Sequence, residues 1–224
     1  MKRVIEIRAA EGGDDSKLFV KDLAQSYVRM AQRLGWTTRL INEYLGELHI
    51  LVEGSDLSGL EQEAGGHRIQ RVPPTERKGR VHTSTVTVAV IDAAESRRAV
   101  AIPETDLKIE WYSGTGAGGQ HRNKHQNSCR ITHIPTGTVV TAQTRSRQSS
   151  LAQALQTVQE TVDRLVKISY NSSIASDRKQ QVGSGMRGDK IRTYRFQDDV
   201  VKDHLTDKTA SVKKVMSGNF DLLW

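Results

Sequence analysis

The chain of 224 residues is long enough for one large domain or two small ones. It carries 33 lysines and arginines against 26 aspartates and glutamates, and the net charge of +7 favours a nucleic-acid partner. The single cysteine, Cys129, excludes an internal disulfide framework and any zinc site built on cysteines, which fits a reducing cytosol. We expect a cytoplasmic location without membrane contact, because the sequence shows no signal peptide and no apolar run long enough to cross a bilayer.

The first hundred residues predict a compact unit of strands around one amphipathic helix. That helix follows a capping turn at 11–16 and ends at Gly35. Its apolar positions recur at spacings of three and four: Phe19, Leu23, Tyr27, Met30 and Leu34. Strands are predicted at 2–8, 37–41, 49–52 and 81–91. A polar, charged link at 92–98, followed by Pro103, indicates a domain boundary.

A second unit begins with a strand after that boundary. Its strands are expected at 107–112, 130–134 and 138–142, the last two joined by a turn at Pro135-Thr136-Gly137. A helix follows, and its apolar face is defined by Leu151, Leu155, Val158, Val162 and Leu165. Beyond it, 171–188 is polar and contains glycines, 191–196 is strand-like, and a helix-like stretch reaches Trp224.

One long segment lacks acidic residues altogether, between Trp111 and Gln159. Inside it, Gly118-Gly119-Gln120 combines glycines, which let backbone approach a crowded polyanionic site, with an amide that both donates and accepts hydrogen bonds. Basic side chains in the segment can neutralise phosphates: His121, Arg122, Lys124, Arg145 and Arg147. The segment therefore favours an RNA surface, although its composition also fits a flexible, solvated loop rich in glycine.

Two enzymatic alternatives fit these residues poorly. The glycines at Gly114, Gly116 and Gly119 match the dinucleotide fingerprint, but that fingerprint needs an apolar helix at the third glycine and an acidic residue about twenty positions later. Neither follows here. A Ser/His/Asp hydrolase lacks support, because the acid-free segment supplies no carboxylate near its histidines and no nucleophile-elbow pattern occurs.

Three motifs resemble bacterial class I peptide chain release factors. Residues 113–121 and 130–137 are similar to the catalytic domain of that family and contain its Gly-Gly-Gln (GGQ) sequence. Residues 65–84 are similar to the decoding region of the subtype with a Pro-x-Thr motif, which reads UAA and UAG. A third match lies at 181–185 and 191–194. A lone GGQ would be shared with ribosome-rescue hydrolases, whereas three motifs in family order are far more specific.

The resemblance implies a translation termination factor that needs no cofactor and no metal ion. Its partners would be the ribosome, ribosomal RNA, the stop codon of the messenger RNA and peptidyl-tRNA, whose ester it would hydrolyse only on the ribosome. Gly118, Gly119 and Gln120 would be catalytic, since in this family the backbone N–H of the glutamine donates to the developing oxyanion. A glutamine methyltransferase would modify Gln120. The basic residues of the segment would contact ribosomal RNA: His121, Arg122, Lys124, Arg145 and Arg147.

The resemblance also assigns residues to the stop codon. Pro73-Pro74-Thr75 would form the Pro-x-Thr motif, with Thr75 meeting the first two bases. His82, preceded by Val81, would stack between the second and third bases, and Gln70 with Thr83 would read the third. Taken alone, Gln70 and Thr83 fit ordinary exposed polar positions equally well, and His82 also fits a packed, non-functional ring.

The implied architecture is an α+β fold, in which a GGQ catalytic domain is inserted into a two-part decoding body of mixed sheet and helices. We expect the first part of the body at 1–103, the hydrolysis domain at 104–175, and a C-terminal segment packing with the body at 176–224. The tip of the first helix, Gly12 to Asp15, would contact the first uridine mainly through its backbone. In the family a helical domain precedes the equivalent of the opening strand, and we expect this chain to lack it.

Two other functions remain open at this stage. A codon-independent rescue hydrolase shares the GGQ sequence but typically carries a basic tail, whereas 219–224 is not basic and a decoding segment is present. A non-catalytic ribosome-binding protein would not need the GGQ sequence at all.

Overall fold

The computed structural model describes residues 1–93, 101–114 and 124–224. Its strands are β1 (Lys2–Ala9), β2 (Thr37–Tyr44), β3 (Glu47–Glu53), β4 (Gly65–Arg71), β5 (His82–Asp92), β6 (Leu107–Tyr112), β7 (Ser128–His133), β8 (Thr138–Gln143), β9 (Arg192–Arg195), β10 (Val200–Asp203) and β11 (Thr209–Ala210). Its described α-helices are α1 (Gly13–Arg33), α2 (Arg147–Val182) and α3 (Val212–Met216). Short 3-10 helices lie at Ser58–Glu63, Glu104–Asp106 and Phe220–Leu222.

The chain forms two compact units. Met1–Glu95 and Ser173–Trp224 make up the larger unit, and Ser96–Ser172 make up the smaller one. Within the larger unit, the described strands form one sheet in the order β11-β10-β9-β4-β5-β1-β3-β2. The β4–β9 pair is parallel and the other pairs are antiparallel. A mixed sheet covered by helices confirms the predicted α+β class.

The core of the larger unit lies between α1 and the sheet. The predicted apolar stripe of α1 is confirmed, because Phe19, Leu23, Tyr27 and Met30 are each at most 1% exposed. They pack against inward-facing residues of the central strands, among them Ile5, Ile7, Val86 and Val88. Burying that many apolar side chains is the main force that holds α1 on the sheet.

The C-terminal strands join the larger sheet through β9. A fully buried guanidinium, that of Arg192, anchors this strand by pairing with the buried carboxylates of Glu63 and Asp203. Glu63 also accepts hydrogen bonds from the hydroxyl of Tyr27 and the indole of Trp224, at 3.0 and 2.6 Å. A buried charge requires such complete pairing, so this network ties α1, β9 and the last residue of the chain together.

The smaller unit is a three-stranded sheet, ordered β6-β7-β8, packed against the first turns of α2. Its buried core is small: Cys129, Ile131, Ala142, Ala154, Val158 and Val162. The predicted strands of this unit are confirmed within two residues at each end. Burial raises the pKa of the Cys129 thiol, whose Sγ donates to the carbonyl of Ser150 at 3.7 Å.

Three sequence expectations about the fold are wrong. The apolar face predicted for α2 is only partly buried, since Leu155 and Leu165 are 37% and 41% exposed. The polar stretch predicted as a connection from 171 is helical up to Val182. The stretch after 196 that was predicted to be helix-like contains the strands β10 and β11 before the short helix α3, and the sequence patterns also missed β4, which begins with two glycines.

Candidate nucleic-acid interface

The Pro-x-Thr motif lies on the loop that connects β4 to β5. Pro73 is buried, whereas Pro74 and Thr75 are exposed, so the motif anchors one proline and presents the threonine hydroxyl to solvent. The backbone N–H of Glu76 donates to the carbonyl of Pro73 at 3.0 Å and closes the turn. Val81, at the end of the loop, is 55% exposed. The loop therefore offers polar and apolar contacts at its tip.

The side chain of Glu76 holds this loop together. Its Oε1 accepts from the backbone N–H of Lys78 at 2.7 Å, and its Oε2 accepts from the guanidinium of Arg80 at 3.0 and 3.2 Å. The Nε2 of His82 lies 2.9 Å from the same Oε2. The Lys78 N–H, followed by Arg80 and His82, lowers the pKa of the Glu76 carboxyl. One ionised carboxylate thus organises the residues that flank Thr75.

His82 remains available to a ligand despite this contact. Its side chain is 45% exposed, whereas that of Glu76 is 6% exposed. The carboxylate therefore holds the Nε2 edge of the imidazole and leaves much of the ring open to solvent. A half-exposed, oriented ring suits stacking on a nucleobase.

Gln70 and Thr83 face each other across the ladder. They are register partners in the antiparallel pair β4–β5, next to the pair formed by Arg71 and His82. Cross-strand partners place their Cβ atoms about 5 Å apart, close enough for both side chains to contact one base. Each is partly exposed, and neither side chain hydrogen-bonds to another residue within the described ranges. The amide and the hydroxyl are therefore free to read a base edge.

The N-terminal tip of α1 packs beside the same ladder. Asp15 is 3% exposed, and its two carboxylate oxygens accept from Nε of Arg71 at 2.8 Å and from Oγ of Ser84 at 2.9 Å. Arg71 also reaches Asp22, and its guanidinium lies 5.6 Å from the ring centroid of Phe19. The Asp15 side chain is thus committed to internal bonds. The backbone of Gly12 and Gly13 and the exposed side chain of Asp14 face outward at this tip.

Gly12 allows the close approach of this tip to β5. Its φ is +123°, a conformation that L side chains rarely adopt, and a Cβ there would lie 2.7 Å from the Cα of Ser84. The backbone N–H of Thr85 donates to the carbonyl of Glu11 at 2.6 Å and fixes the contact. Gly12 and Asp15 therefore lie at the end of β5 where His82 and Ser84 face α1, whereas Thr83 points to the opposite face of the sheet.

The catalytic residues predicted from the sequence cannot be placed in the same way. Gly118, Gly119 and Gln120 lie outside the described residues, as do His121 and Arg122, which were predicted to contact ribosomal RNA. The other basic residues predicted to contact RNA belong to the smaller unit and are exposed: Lys124, Arg145 and Arg147. The guanidinium of Arg147 stacks 4.1 Å from the ring centroid of Trp111, which orients its charge.

Sequence reasoning missed three residues that shape the interface: Arg71, Glu76 and Ser84. Arg71 and Ser84 act through Asp15, a partner distant in sequence, and no local pattern indicates such a bond. Glu76 acts through Lys78, Arg80 and His82, and because these residues lie on or beside a loop, no helical spacing indicates the contacts. Within the described ranges no three His, Cys, Asp or Glu side chains converge as metal ligands. In the same part of the chain, no helix is long and apolar enough to cross a bilayer.

Comparison with known proteins gives two consecutive family matches. Residues 1–88 match the PCRF domain and residues 93–205 match the RF-1 domain. Three similar curated proteins are each named peptide chain release factor 1. Those of Albidiferax ferrireducens and Variovorax paradoxus are 42% identical over 97% and 96% of this chain, and that of Leptothrix cholodnii is 40% identical over 97%. The chain spans 62–63% of the length of these relatives.

A solved structure agrees with the sequence comparisons. The chain aligns over its whole length with 66% of RF2 of Thermus thermophilus, with a TM-score of 0.55 and 28% sequence identity. The similarity covers both compact units described above.

Proposed function

The chain belongs to the peptide chain release factor family, and from that premise we propose that it recognises UAA and UAG stop codons in the ribosomal A site and triggers hydrolysis of peptidyl-tRNA. Its partners in this proposal are the ribosome, ribosomal RNA, the stop codon and peptidyl-tRNA, and its location is the cytoplasm. The glutamine methyltransferase that would modify Gln120 is part of the same proposal.

The pairing of Gln70 with Thr83 is the observation that best supports codon reading. Two unengaged polar side chains pair across β4–β5, and the next residue pair of the same ladder carries the half-exposed ring of His82 on the other face. Single-stranded bases are read by hydrogen bonds to their edges and by stacking on planar side chains. We assign the third base to Gln70 and Thr83, and the boundary between the second and third bases to His82. Thr75, exposed at the loop tip, takes the first two bases.

The surrounding contacts fit a preorganised reading site. Ordering a loop when it binds costs free energy, and a loop already held by several charged hydrogen bonds avoids most of that cost. Glu76 supplies these bonds on one side of Thr75, and the Asp15–Arg71 pair supplies them at the tip of α1. Discrimination between codons then depends on unpaired polar groups, which a wrong base leaves unsatisfied.

Hydrolysis is assigned to Gly118-Gly119-Gln120 by the chemistry of the sequence. The backbone N–H of Gln120 would donate to the oxyanion that develops when water attacks the ester, while the two glycines allow close backbone approach. The Gln120 side chain would help admit water and exclude larger nucleophiles. We place decoding in residues 1–103 and 176–224 and hydrolysis in residues 104–175.

A reconstituted peptide-release assay tests this function. Ribosomes would carry a labelled peptidyl-tRNA and either UAA, a sense codon or an empty A site. We expect fast release with UAA and slow release with the other two. Release that is fastest on the empty A site would indicate a rescue hydrolase, and binding without release at UAA would indicate a non-catalytic ribosome-binding protein.

A further inference from the structure

The sheet of the larger unit has a second face, opposite α1, on which the register partners Gln70 and Thr83 lie. Successive residues of a strand point to opposite faces. On β4, the buried residues His67, Ile69 and Arg71 face α1, so Arg68 and Gln70 lie on the opposite face. We call the surface that continues from Gln70 on this side the basic face.

The basic face carries positive charge on neighbouring strands. It is formed by Arg68 on β4, Arg195 on β9, Lys202 on β10, and two residues next to these strands, Lys190 and His204. Cross-strand register joins them, because Gln70 pairs with Arg195 and Arg68 pairs with Thr193, which in turn pairs with Lys202. The cations therefore form one cluster.

These charges are poorly neutralised by the protein itself. Arg68, Lys190 and Arg195 make no ion pair with any described carboxylate, and the buried Nε of Arg68 has no hydrogen-bond partner. Lys202 pairs at 3.2 Å with Asp207, whose side chain is 81% exposed, and such exposed pairs contribute little. Mutual repulsion is visible at His204, since burial and the charges of Lys190, Lys202 and Arg68 lower its pKa.

The position of this cluster relative to the codon indicates its ligand. Arg68 lies two residues beyond Gln70 on the same face of β4, about 7 Å along the strand. The spacing is comparable to the step between successive phosphates of an extended single strand. A messenger RNA whose third codon base meets Gln70 and Thr83 would thus bring its next phosphates within reach of Arg68, Arg195 and Lys202.

We propose that the basic face binds the phosphate backbone of the messenger RNA on the 3′ side of the stop codon. This inference rests on the proposed function, because it takes the register of the message from the codon-reading residues. Point charges of lysine and arginine hold phosphates without reading bases. The contact therefore strengthens binding at every stop codon and adds no base preference of its own.

The test compares two messages and two double variants. One message ends directly after UAA and the other continues for several nucleotides. The double variant Arg195→Ala, Lys202→Ala removes two exposed cations of the basic face. The matched control, Lys213→Ala with Lys214→Ala, removes the same charge from exposed positions on α3, which packs near α1. The measurement is the factor concentration that gives half-maximal release, over a range of salt.

We expect the wild-type protein and the control to bind the longer message more tightly than the short one. The basic-face variant should lose roughly tenfold in affinity on the longer message only, and its salt slope should fall by about 1.4 for two lost phosphate contacts. Equal losses of affinity on both messages would assign the contact to ribosomal RNA. Unchanged affinity on both messages would show that the basic face makes no such contact. Both results overturn the inference, whereas absence of wild-type release on either message contradicts the proposed function itself.

Discussion

The carboxylate of Glu76 lies 2.9 Å from Nε2 of His82, and this contact fixes the ring assigned to the stop codon. The same oxygen accepts from Arg80, while the other accepts from the backbone of Lys78. Glu76 is therefore a positioning residue, since it acts through its neighbours and is almost entirely covered. The loop that carries Thr75 is therefore held by hydrogen bonds among its own residues.

Replacing Glu76 tests this ordering. Glu76→Gln keeps an acceptor for the backbone N–H of Lys78 but loses the charge that attracts Arg80 and His82. We expect roughly tenfold lower kcat/KM for release at UAA, with a smaller loss in kcat, because charge-assisted bonds are about twice as strong as neutral ones.

The matched control for this change is Glu61→Gln, which removes a carboxylate that is 65% exposed. It should release peptide at the wild-type rate. If Glu76→Gln also behaves like wild type at UAA, the loop does not depend on the carboxylate and the positioning role is wrong.

Gly12 gives a second prediction, on stability. Gly12→Ala forces a Cβ against Ser84 at a φ of +123°, so we expect a loss of at least about 2 kcal/mol in the free energy of unfolding. Gly79 provides the comparison, because its φ is +67° and no atom lies within 4 Å of a Cβ built there. Gly79→Ala should cost only about 1 kcal/mol.

Urea denaturation of both glycine variants measures the difference between their free energies of unfolding. A larger loss for Gly79→Ala than for Gly12→Ala would show that the tip of α1 does not need its close approach to β5.

Local periodicity predicted the parts of the fold that depend on local order. The stripe of α1 from Phe19 to Met30 was correct because a helix on a wide sheet buries every third or fourth residue. The same reasoning failed for Leu155 and Leu165, since a sheet of three short strands covers only one side of a few turns of α2. The spacing of apolar residues in the sequence gives no information about the width of the sheet against which the helix packs.

Contacts between segments distant in sequence explain the remaining differences between the sequence prediction and the structure. The strand β4 begins with two glycines, and a Cβ on Gly66 would overlap the carbonyl oxygen of Asp189. The strand therefore starts with residues chosen for close backbone packing and lacks the usual alternation of apolar and polar side chains there. The residues proposed to read the codon could be named from family motifs. The bonds that orient them, from Asp15 to Ser84 and Arg71, join distant segments and required the structure.

The buried imidazole of His67 predicts acid sensitivity. Burial, with a smaller effect of the Arg192 charge, lowers its pKa from 6.5 to about 4. Between these values the unfolded chain binds a proton that the folded protein does not, so stability falls as the pH drops through this window. At pH 5 we expect about 2 kcal/mol less stability than at pH 7.5 from this group.

Two measurements check this expectation. An NMR titration of the His67 ring should give a midpoint near 4, and urea denaturation at both pH values should show the loss. In His67→Gln the pH dependence over the same window should shrink. A ring that titrates near 6.5 in the folded protein would contradict the prediction.

The GGQ sequence predicts that substitutions in it reduce peptide release without reducing ribosome binding. Gly119→Ala should reduce the rate of release by at least 100-fold, the order found when an oxyanion donor is lost, and should leave ribosome binding nearly unchanged. Gln120→Ala should be milder, because its backbone N–H remains. Single-turnover release and ribosome co-sedimentation measure the two quantities, and normal release by Gly119→Ala would show that the assigned residues are not catalytic.

The most direct measurement is kcat/KM of peptide release on UAA, UAG and UGA, for the wild-type protein and Thr75→Ala. We expect similar values on UAA and UAG and a value at least 100-fold lower on UGA, because polar groups left unpaired by a wrong base reject it strongly. Thr75→Ala should narrow this gap without unfolding the protein. Equal rates of wild-type release on all three codons, or on a sense codon, would contradict codon recognition by this chain.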